Sequence, residues 1–527
     1  MAIAHGRRGR TRWVAAALVA GLVLPACQPN RFVSGWVPYW GGASGRATLE
    51  NDDVASLLSD VSMMWYGTAA NGTITTLGST TSLNSTVAIA RAQGLPVIPT
   101  IFDTTATGVM RGILDDSAKR AAHIQNIVDL VVAKGFDGID IDYEVFAFGD
   151  PASAWPDITP DWVAFITTLA ADLHARGKLL TVTVPPVWKS GTVTRGYTVY
   201  AQAQVAPHVD RLRLMVYDWS ISTPGPIAPM WWVNSIIAYS SAIVPVSKLQ
   251  LGVPTYGRHW ATQKNGAEVC PDGAIWRESV LMKDTAALAA AHNATPVRHT
   301  DGELTFGWTE VVTGPRTKPL VPPVWTPPAT VARAVNGPAA TGLQPALRLA
   351  PPSAPVTCTV QHRVFVPDPT SVRQRADAAL GAGWSGIALF AFGYETPAVY
   401  QSLAGIAPVR PGGAPSGSLA TPVVTGGSVR ITGQALHPEF DLPVPVRLTV
   451  TKTGGGTTVH TQLARATLIG MPAGLGPFHG IDDTFALTPG SYTVCGEVLG
   501  WGGAVIASTG CQPFSIVSPP LLRITSG

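Results

Sequence analysis

Phe136-Asp137-Gly138-Ile139-Asp140-Ile141-Asp142-Tyr143-Glu144 alternates acidic with apolar side chains. On a strand, alternate residues share a face. Asp140, Asp142 and Glu144 would therefore point one way, and Ile139, Ile141 and Tyr143 the other. Three carboxyls on one face of a buried strand are costly unless they are paired, protonated or at work. Their mutual repulsion raises their proton affinity, which suits a carboxyl that must act as an acid. Glu144, at the strand's C-terminal end, occupies the position where barrel enzymes place catalytic groups. The competing reading is structural: an acidic network, paired with arginines, that holds a barrel floor.

Outward from this stretch one pattern repeats. From Arg31 to about Pro408, short β-rich runs alternate with helix-length amphipathic segments, which predicts a parallel α/β architecture. The strand candidates are Phe32–Tyr39, Val61–Tyr66, Pro96–Phe102, Gly138–Glu144, Leu179–Val184, Leu212–Tyr217, Leu249–Pro254 and Gly386–Phe392. Between them lie segments such as Asp116–Lys134 and Asp161–Lys178; in the latter Trp162, Phe165, Leu169 and Leu173 share one helix face. Eight such units fit a (β/α)8 TIM barrel over residues 31–408, with an insertion domain after the seventh strand at about 259–365. That insertion holds eleven prolines between Gly314 and Pro355. Residues 409–421 read as a flexible linker. Residues 422–516, short strands between Gly-rich turns, read as a C-terminal all-β sandwich-like domain.

At the N-terminus, Arg7, Arg8, Arg10 and Arg12 precede an apolar stretch, Trp13–Ala26, that is too short to span a bilayer. Residues 1–26 are expected to be an export signal. Leu24-Pro25-Ala26-Cys27 resembles a lipoprotein box, in which Cys27 would be lipidated; ordinary cleavage near Ala26 is the alternative. The expected location is therefore extracellular, either secreted or anchored to the envelope through Cys27. In an exported chain the remaining four cysteines suggest disulfides. Three pairings exist, and proximity favours Cys270–Cys358 and Cys495–Cys511.

Composition narrows the function classes. The 527 residues are 46% apolar and 13% charged, against a usual charged share of about 25%. The formal charge of +3 belongs to the export signal: without residues 1–26 there are 32 basic and 33 acidic residues. Neither a nucleic-acid partner nor a largely disordered chain fits such numbers. Metal-ligand spacing, a nucleophile elbow, a P-loop and a dinucleotide fingerprint are all lacking. No metal or cofactor is expected. Among 16 tryptophans, Trp40, Trp219, Trp231, Trp232 and Trp260 fall at or just after predicted strand ends. Flat aromatic faces there suit sugar rings, with packing under loops as the alternative.

Three segments in order carry a family resemblance. Asp137-x-x-Asp140-x-Asp142-x-Glu144 is similar to the signature of glycoside hydrolase family 18, the chitinase family. Met215-Val216-Tyr217-Asp218 resembles its M-x-Y-D motif on strand six. Gly252-Val253-Pro254-Thr255-Tyr256-Gly257-Arg258-His259-Trp260 resembles its strand-seven motif, ahead of the family's insertion domain. The resemblance implies retaining hydrolysis in which the substrate's own acetamido group attacks the anomeric carbon, an exception to the two-carboxylate scheme. Glu144 would be the acid and later the base. Asp142 would orient the acetamido group, Asp140 would share a proton with Asp142, and Tyr217 would donate to the acetamido oxygen. Asp218, Tyr256 and Arg258 would bind sugar, with Trp219, Trp260 and Trp40 as further contacts. Asp137 would be structural and His259 a packing residue. Phe390 stands where the family usually has a Trp floor, and Tyr143 where many chitinases have Trp, as in the branch with spore-cortex-lytic enzymes.

The expected function is a monomeric, secreted glycosidase cutting β-1,4 bonds of N-acetylglucosamine-containing glycan, chitin or chitooligosaccharide. Two alternatives stand beside it: a peptidoglycan-cleaving N-acetylglucosaminidase, and a catalytically silent glycan-binding protein. Membrane contact would come only through a lipid on Cys27. The C-terminal domain reads equally as a carbohydrate-binding or adhesion module and as a passive spacer.

Overall fold

The computed structural model describes residues 32–517, except 267, 317–354, 405, 407–413, 439–441, 472–474 and 476–477. The export segment, Cys27 and most of the proline-rich stretch lie outside the described residues. Eight parallel strands form the centre: β1 (Phe32–Pro38), β2 (Ser62–Thr68), β3 (Thr100–Phe102), β4 (Gly138–Asp142), β5 (Leu179–Val184), β6 (Arg211–Met215), β7 (Leu249–Pro254) and β8 (Gly386–Phe390). Each pairs with the next, β8 pairs with β1, and the β1–β2 pairing closes the barrel. Two strands, β5 and β7, fall on the residues expected. By contrast β4 stops at Asp142, two residues early, because Glu144 turns into the short helix Val145–Phe148.

The alternation in the opening stretch sorts its side chains as a strand should. Ile139, Ile141 and Tyr143 are buried in the main hydrophobic cluster with helix residues Ile127, Val131, Trp162 and Phe165. Burial of each such side chain contributes about 1.5–3 kcal/mol. Helix Ser117–Ala133 starts where the Asp116 side chain accepts from the N–H groups of Ala118 and Lys119, satisfying donors that the first turn leaves free. Helix Trp155–His174 begins six residues before the expected Asp161. Pro160 lies inside this helix and cannot give the N–H bond to the Pro156 carbonyl that another residue there would make.

Inside the barrel, the lower layer is polar. Asp60 pairs with Arg211 and with Arg213 (2.7 Å), and accepts from Ser34 Oγ (2.9 Å). Arg213 also donates to Ser62 Oγ (2.6 Å) and Gln250 Oε1 (2.9 Å). Burial alone would raise the Asp60 pKa, but the two guanidinium groups outweigh it and hold the carboxyl below its usual range.

The insertion starts at Tyr256, directly out of β7. Strand Tyr256–Gln263 lies between Trp276–Leu281 and Val356–Val366, and Leu304–Gly314 flanks the latter. The Cys270–Cys358 disulfide forms. It closes the sheet's far end rather than its base: Arg258 and Phe365 pair near the barrel, Gln263 and Val360 at the far side, and Cys358 beyond them.

Past residue 413 two antiparallel sheets face each other. They share a core of Val429, Ile431, Ile481 and Phe485 from one sheet with Val446, Leu448, Val450 and Val494 from the other. Cys495 and Cys511 are bonded directly across adjacent strands. Of the expected linker, 409–413 lie outside the described residues, and strand Ser416–Leu419 occupies part of the rest, paired with Ser428–Leu436.

This β unit packs on the barrel's floor. Leu442 and Leu463 are buried against Phe32, Ile98 and Leu179, with Trp501 alongside. Asp137, which ion-pairs with Arg91, accepts from Val97 N (2.8 Å) and from Gly502 N (3.0 Å) of the β unit. Arg465 reaches His174 and lies 3.8 Å from Asp210. Gly177, at φ +67°, approaches Pro445 so closely that a Cβ there would sit 3.2 Å from it. Deleting residues 409–527 is expected to lower the thermal midpoint of the remaining barrel by about 5 °C. An unchanged midpoint in scanning calorimetry would show that this docking adds no stability.

Candidate active site

Asp140 sits deep in the barrel and is surrounded by donors from four strands. Oδ2 accepts from Trp36 Nε1 (3.0 Å) and Thr100 Oγ1 (2.9 Å), and Oδ1 from Thr183 Oγ1 (2.8 Å); Arg213 Nη1 stands 3.5 Å away. Between the Asp140 and Asp142 carboxyls there is no direct hydrogen bond. For Asp140 the arginine-paired structural reading is therefore the one the geometry supports.

Asp142, two residues higher, has the opposite surroundings. Its carboxyl is buried and Oδ1 has no hydrogen-bond partner. Burial first, then the charges of Glu144 and Asp140, raise its pKa well above the usual carboxylate value and favour its neutral form. Glu144 is off the strand (φ −117°, ψ −31°) yet remains close enough for its charge to act on Asp142. Burial, then Asp218, then Asp103 push its pKa up to about 7.

Tyr217 and Asp218 follow the end of β6. The Tyr217 ring stacks on Phe390 at 5.5 Å and 28°. Burial and neighbouring acidic groups keep this phenol protonated, and its OH makes no hydrogen bond to the protein among the described residues. Asp218 adopts φ +64°, a left-handed conformation uncommon outside glycine. Its Oδ1 accepts from Tyr256 OH (2.8 Å) and from Arg258 Nη2 (2.7 Å) and Nε (3.2 Å). With the side chain about one-third exposed, Oδ2 is left for a ligand. Phe390, at the end of β8, meets Trp36 and Tyr256 edge-on, each at 5.9 Å. It thus lies among the aromatic residues at the bottom of the cleft.

The tryptophans divide. Trp40 and Trp219 are each 41% exposed. Trp40 donates to Tyr394 OH, while Trp219 packs against Trp188, Trp231 and Trp232. Trp231 is exposed and Trp232 buried. Trp260 does not offer a sugar platform as expected: it is 2% exposed, and its Nε1 donates to Ile221 O at 2.9 Å. It braces the loop that follows Asp218. His259 is buried against His362. Tyr143 points away from the cleft; its OH meets His123 Nε2 (2.8 Å) and Thr68 Oγ1 (3.1 Å). Its difference from the family's Trp therefore concerns the strand–helix layer.

Sequence reasoning passed over Trp36, Thr100, Thr183, Arg213 and Asp103. Arg211 and Arg213 share a face of a buried strand, a spacing that calls for buried carboxylates. Asp103 directly follows β3, at the end of the barrel where functional groups gather. Among the described residues no group of three or more His, Cys, Asp or Glu is arranged to hold a metal ion.

Comparison with known proteins places this geometry in context. The family model for glycosyl hydrolases family 18 matches residues 35–325. A Bacillus subtilis protein provisionally named a sporulation-specific glycosylase is 30% identical over 217 residues, 40% of this chain and 48% of its own. The chain spans about half the length, or less, of the first curated relatives it matches. Two crystal structures share the fold. A chitinase from Chromobacterium violaceum superposes with a TM-score of 0.52 at 22% identity, over 71% of this chain and 98% of that one. The spore cortex-lytic enzyme of Bacillus megaterium gives 0.52 at 15% identity, over 72% and 74%.

Arg213→Met would leave Asp60 and Asp140 short of a buried cation. The expected cost is about 3–5 kcal/mol of unfolding free energy, read by urea denaturation. A loss below about 1 kcal/mol would remove this ion network from the structural account.

Proposed function

Because the chain belongs to the glycosyl hydrolases of family 18, we propose that its cleft cuts β-1,4 linkages of N-acetylglucosamine-containing glycans, chitin or chitooligosaccharides, by substrate-assisted retaining hydrolysis. The observation that carries this reading is the pair at the barrel mouth. Asp142 is buried, unpartnered at Oδ1 and raised in proton affinity, and beside it Glu144 holds its proton to about pH 7. The same pair counts against a silent glycan-binding role, which has no use for a carboxyl kept protonated.

In the proposed reaction Glu144 gives its proton to the glycosidic oxygen as the bond from that oxygen to C1 breaks. The acetamido carbonyl oxygen of the same sugar forms a new bond to C1, giving an oxazolinium ion and a free alcohol. Asp142 offers its unpartnered oxygen to the acetamido N–H, and Tyr217 its free O–H to the acetamido oxygen. Fixed donors and charges of this kind are usually the largest contribution to such a step. Glu144, now a carboxylate, takes a proton from water, and the hydroxide bonds to C1. Ring opening restores the acetamide with retained configuration. Asp218 and Arg258 bind sugar hydroxyls, and Phe390 underlies the reacting ring.

The export reading of residues 1–26 and the two disulfides support action outside the cytoplasm, with Cys27 as the lipid acceptor of an anchored form. Peptidoglycan, whose glycan strands also contain N-acetylglucosamine, is the second substrate to try. Incubation with chitooligosaccharides, and in parallel with purified peptidoglycan, followed by mass spectrometry, is expected to show cleavage of the former. Cleavage of peptidoglycan alone would shift the substrate.

Glu144→Gln is expected to lower turnover at least about 100-fold with glycan binding retained; undiminished turnover would end its assignment as the acid. Since only protonated Glu144 can act, kcat/KM should fall as pH rises through about 7.

A further inference from the structure

Asp103 lies immediately after β3, at the same end of the barrel as Glu144. It is 7% exposed, and its N–H bonds the carbonyl oxygen of Asp142 at 3.4 Å, which ties it to the acidic stretch across the β3–β4 pair. Its Oδ1 accepts from Thr105 N (3.0 Å) and Thr105 Oγ1 (2.6 Å). Oδ2 is buried without a hydrogen-bond partner. The main-chain N–H groups of Val145 and Phe146, in the turn that Glu144 opens, face this carboxyl.

We propose that Asp103 is a positioning residue for Glu144: fixed by Thr105, its carboxylate lies against the turn that carries the acid and sets the pH range over which the acid keeps its proton. This rests on the reading of Glu144 as the acid. Burial raises the Asp103 pKa to about 6, so the group is charged above that pH. Its charge then adds to burial and Asp218 in keeping Glu144 protonated, and the two carboxyls titrate as a pair. The other titratable groups facing Glu144 are Asp142 on β4, Tyr217 and Asp218 after β6, and Tyr197 and Tyr200 ahead of β6. None of them is a cation.

Asp103→Asn keeps an oxygen for both Thr105 donors and removes the charge, while an NH2 group replaces the second oxygen. The alkaline limb of kcat/KM is expected to move toward acid by about one pH unit. The variant should lose at least about fivefold more kcat/KM at pH 7.5 than at pH 5. An equal loss at both pH values, or an unmoved limb, overturns the proposal and leaves Asp103 a purely structural residue. A 13C-carboxyl titration by NMR, with the Glu144 signal identified by its absence from Glu144→Gln, reads the same shift without substrate. A lowered Glu144 pKa in Asp103→Asn supports the proposal and an unchanged one overturns it, even if the wild-type chain cleaves no glycan. That last result would count against the glycosidase reading alone. Thermal melts of Asp103→Asn and Thr105→Val separate either effect from misfolding.

Discussion

Arg211 and Arg213 stand two residues apart on β6, and both guanidinium groups are buried inside the barrel. Removing a charge from water is expensive, and removing two of like sign more so. The fold accepts them only because Asp60 receives both and Asp140 lies within reach of Arg213. This exchange uses up the lower carboxyls of the barrel. Asp140 is further occupied by Trp36, Thr100 and Thr183, so most of its acceptor capacity is taken within the lower layer.

The upper layer follows from that allocation. Asp142 is just as buried, but no cation or hydroxyl reaches its Oδ1. Burial without a partner favours the neutral form of such a group. Glu144, past the strand's end, meets further acidic neighbours, Asp218 and Asp103, and these add to the burial that raises its pKa. The barrel therefore runs from carboxylates paired with cations at its floor to carboxyls of raised proton affinity at its mouth. This polarity divides one strand's acids between structure and chemistry. At the floor, Asp137 serves both the barrel, through Arg91 and Val97, and the C-terminal sheets, through Gly502.

The alternation around Ile139 and Ile141 located the central strand and its two faces, and the apolar runs of β5 and β7 gave those strands residue for residue. Local pattern suffices for a strand buried on both sides, since every residue in it must suit a neighbour. It fails where the chain leaves regular structure. Glu144 kept the spacing of a strand residue, but the backbone turns there. Trp260 had the position of a sugar platform, yet the side chain was needed to brace the loop after Asp218. The disulfide pairs were legible from spacing, whereas the place of Cys270–Cys358 depends on how far the insertion strands run from the barrel.

By itself the sequence determined the barrel's class, the order of its motifs and the residue types gathered at its mouth, because periodicity and motif spacing are written along the chain. Only the tertiary structure decided which carboxyl meets a cation and which meets none. That depends on β1, β3, β5 and β6 converging on β4 from distant parts of the sequence. Asp140 and Asp142 are indistinguishable in the D-I-D string. Inside the barrel one strand carries both a carboxyl enclosed by donors and, two residues on, one of raised proton affinity, and the difference comes from partners 40 to 104 residues away.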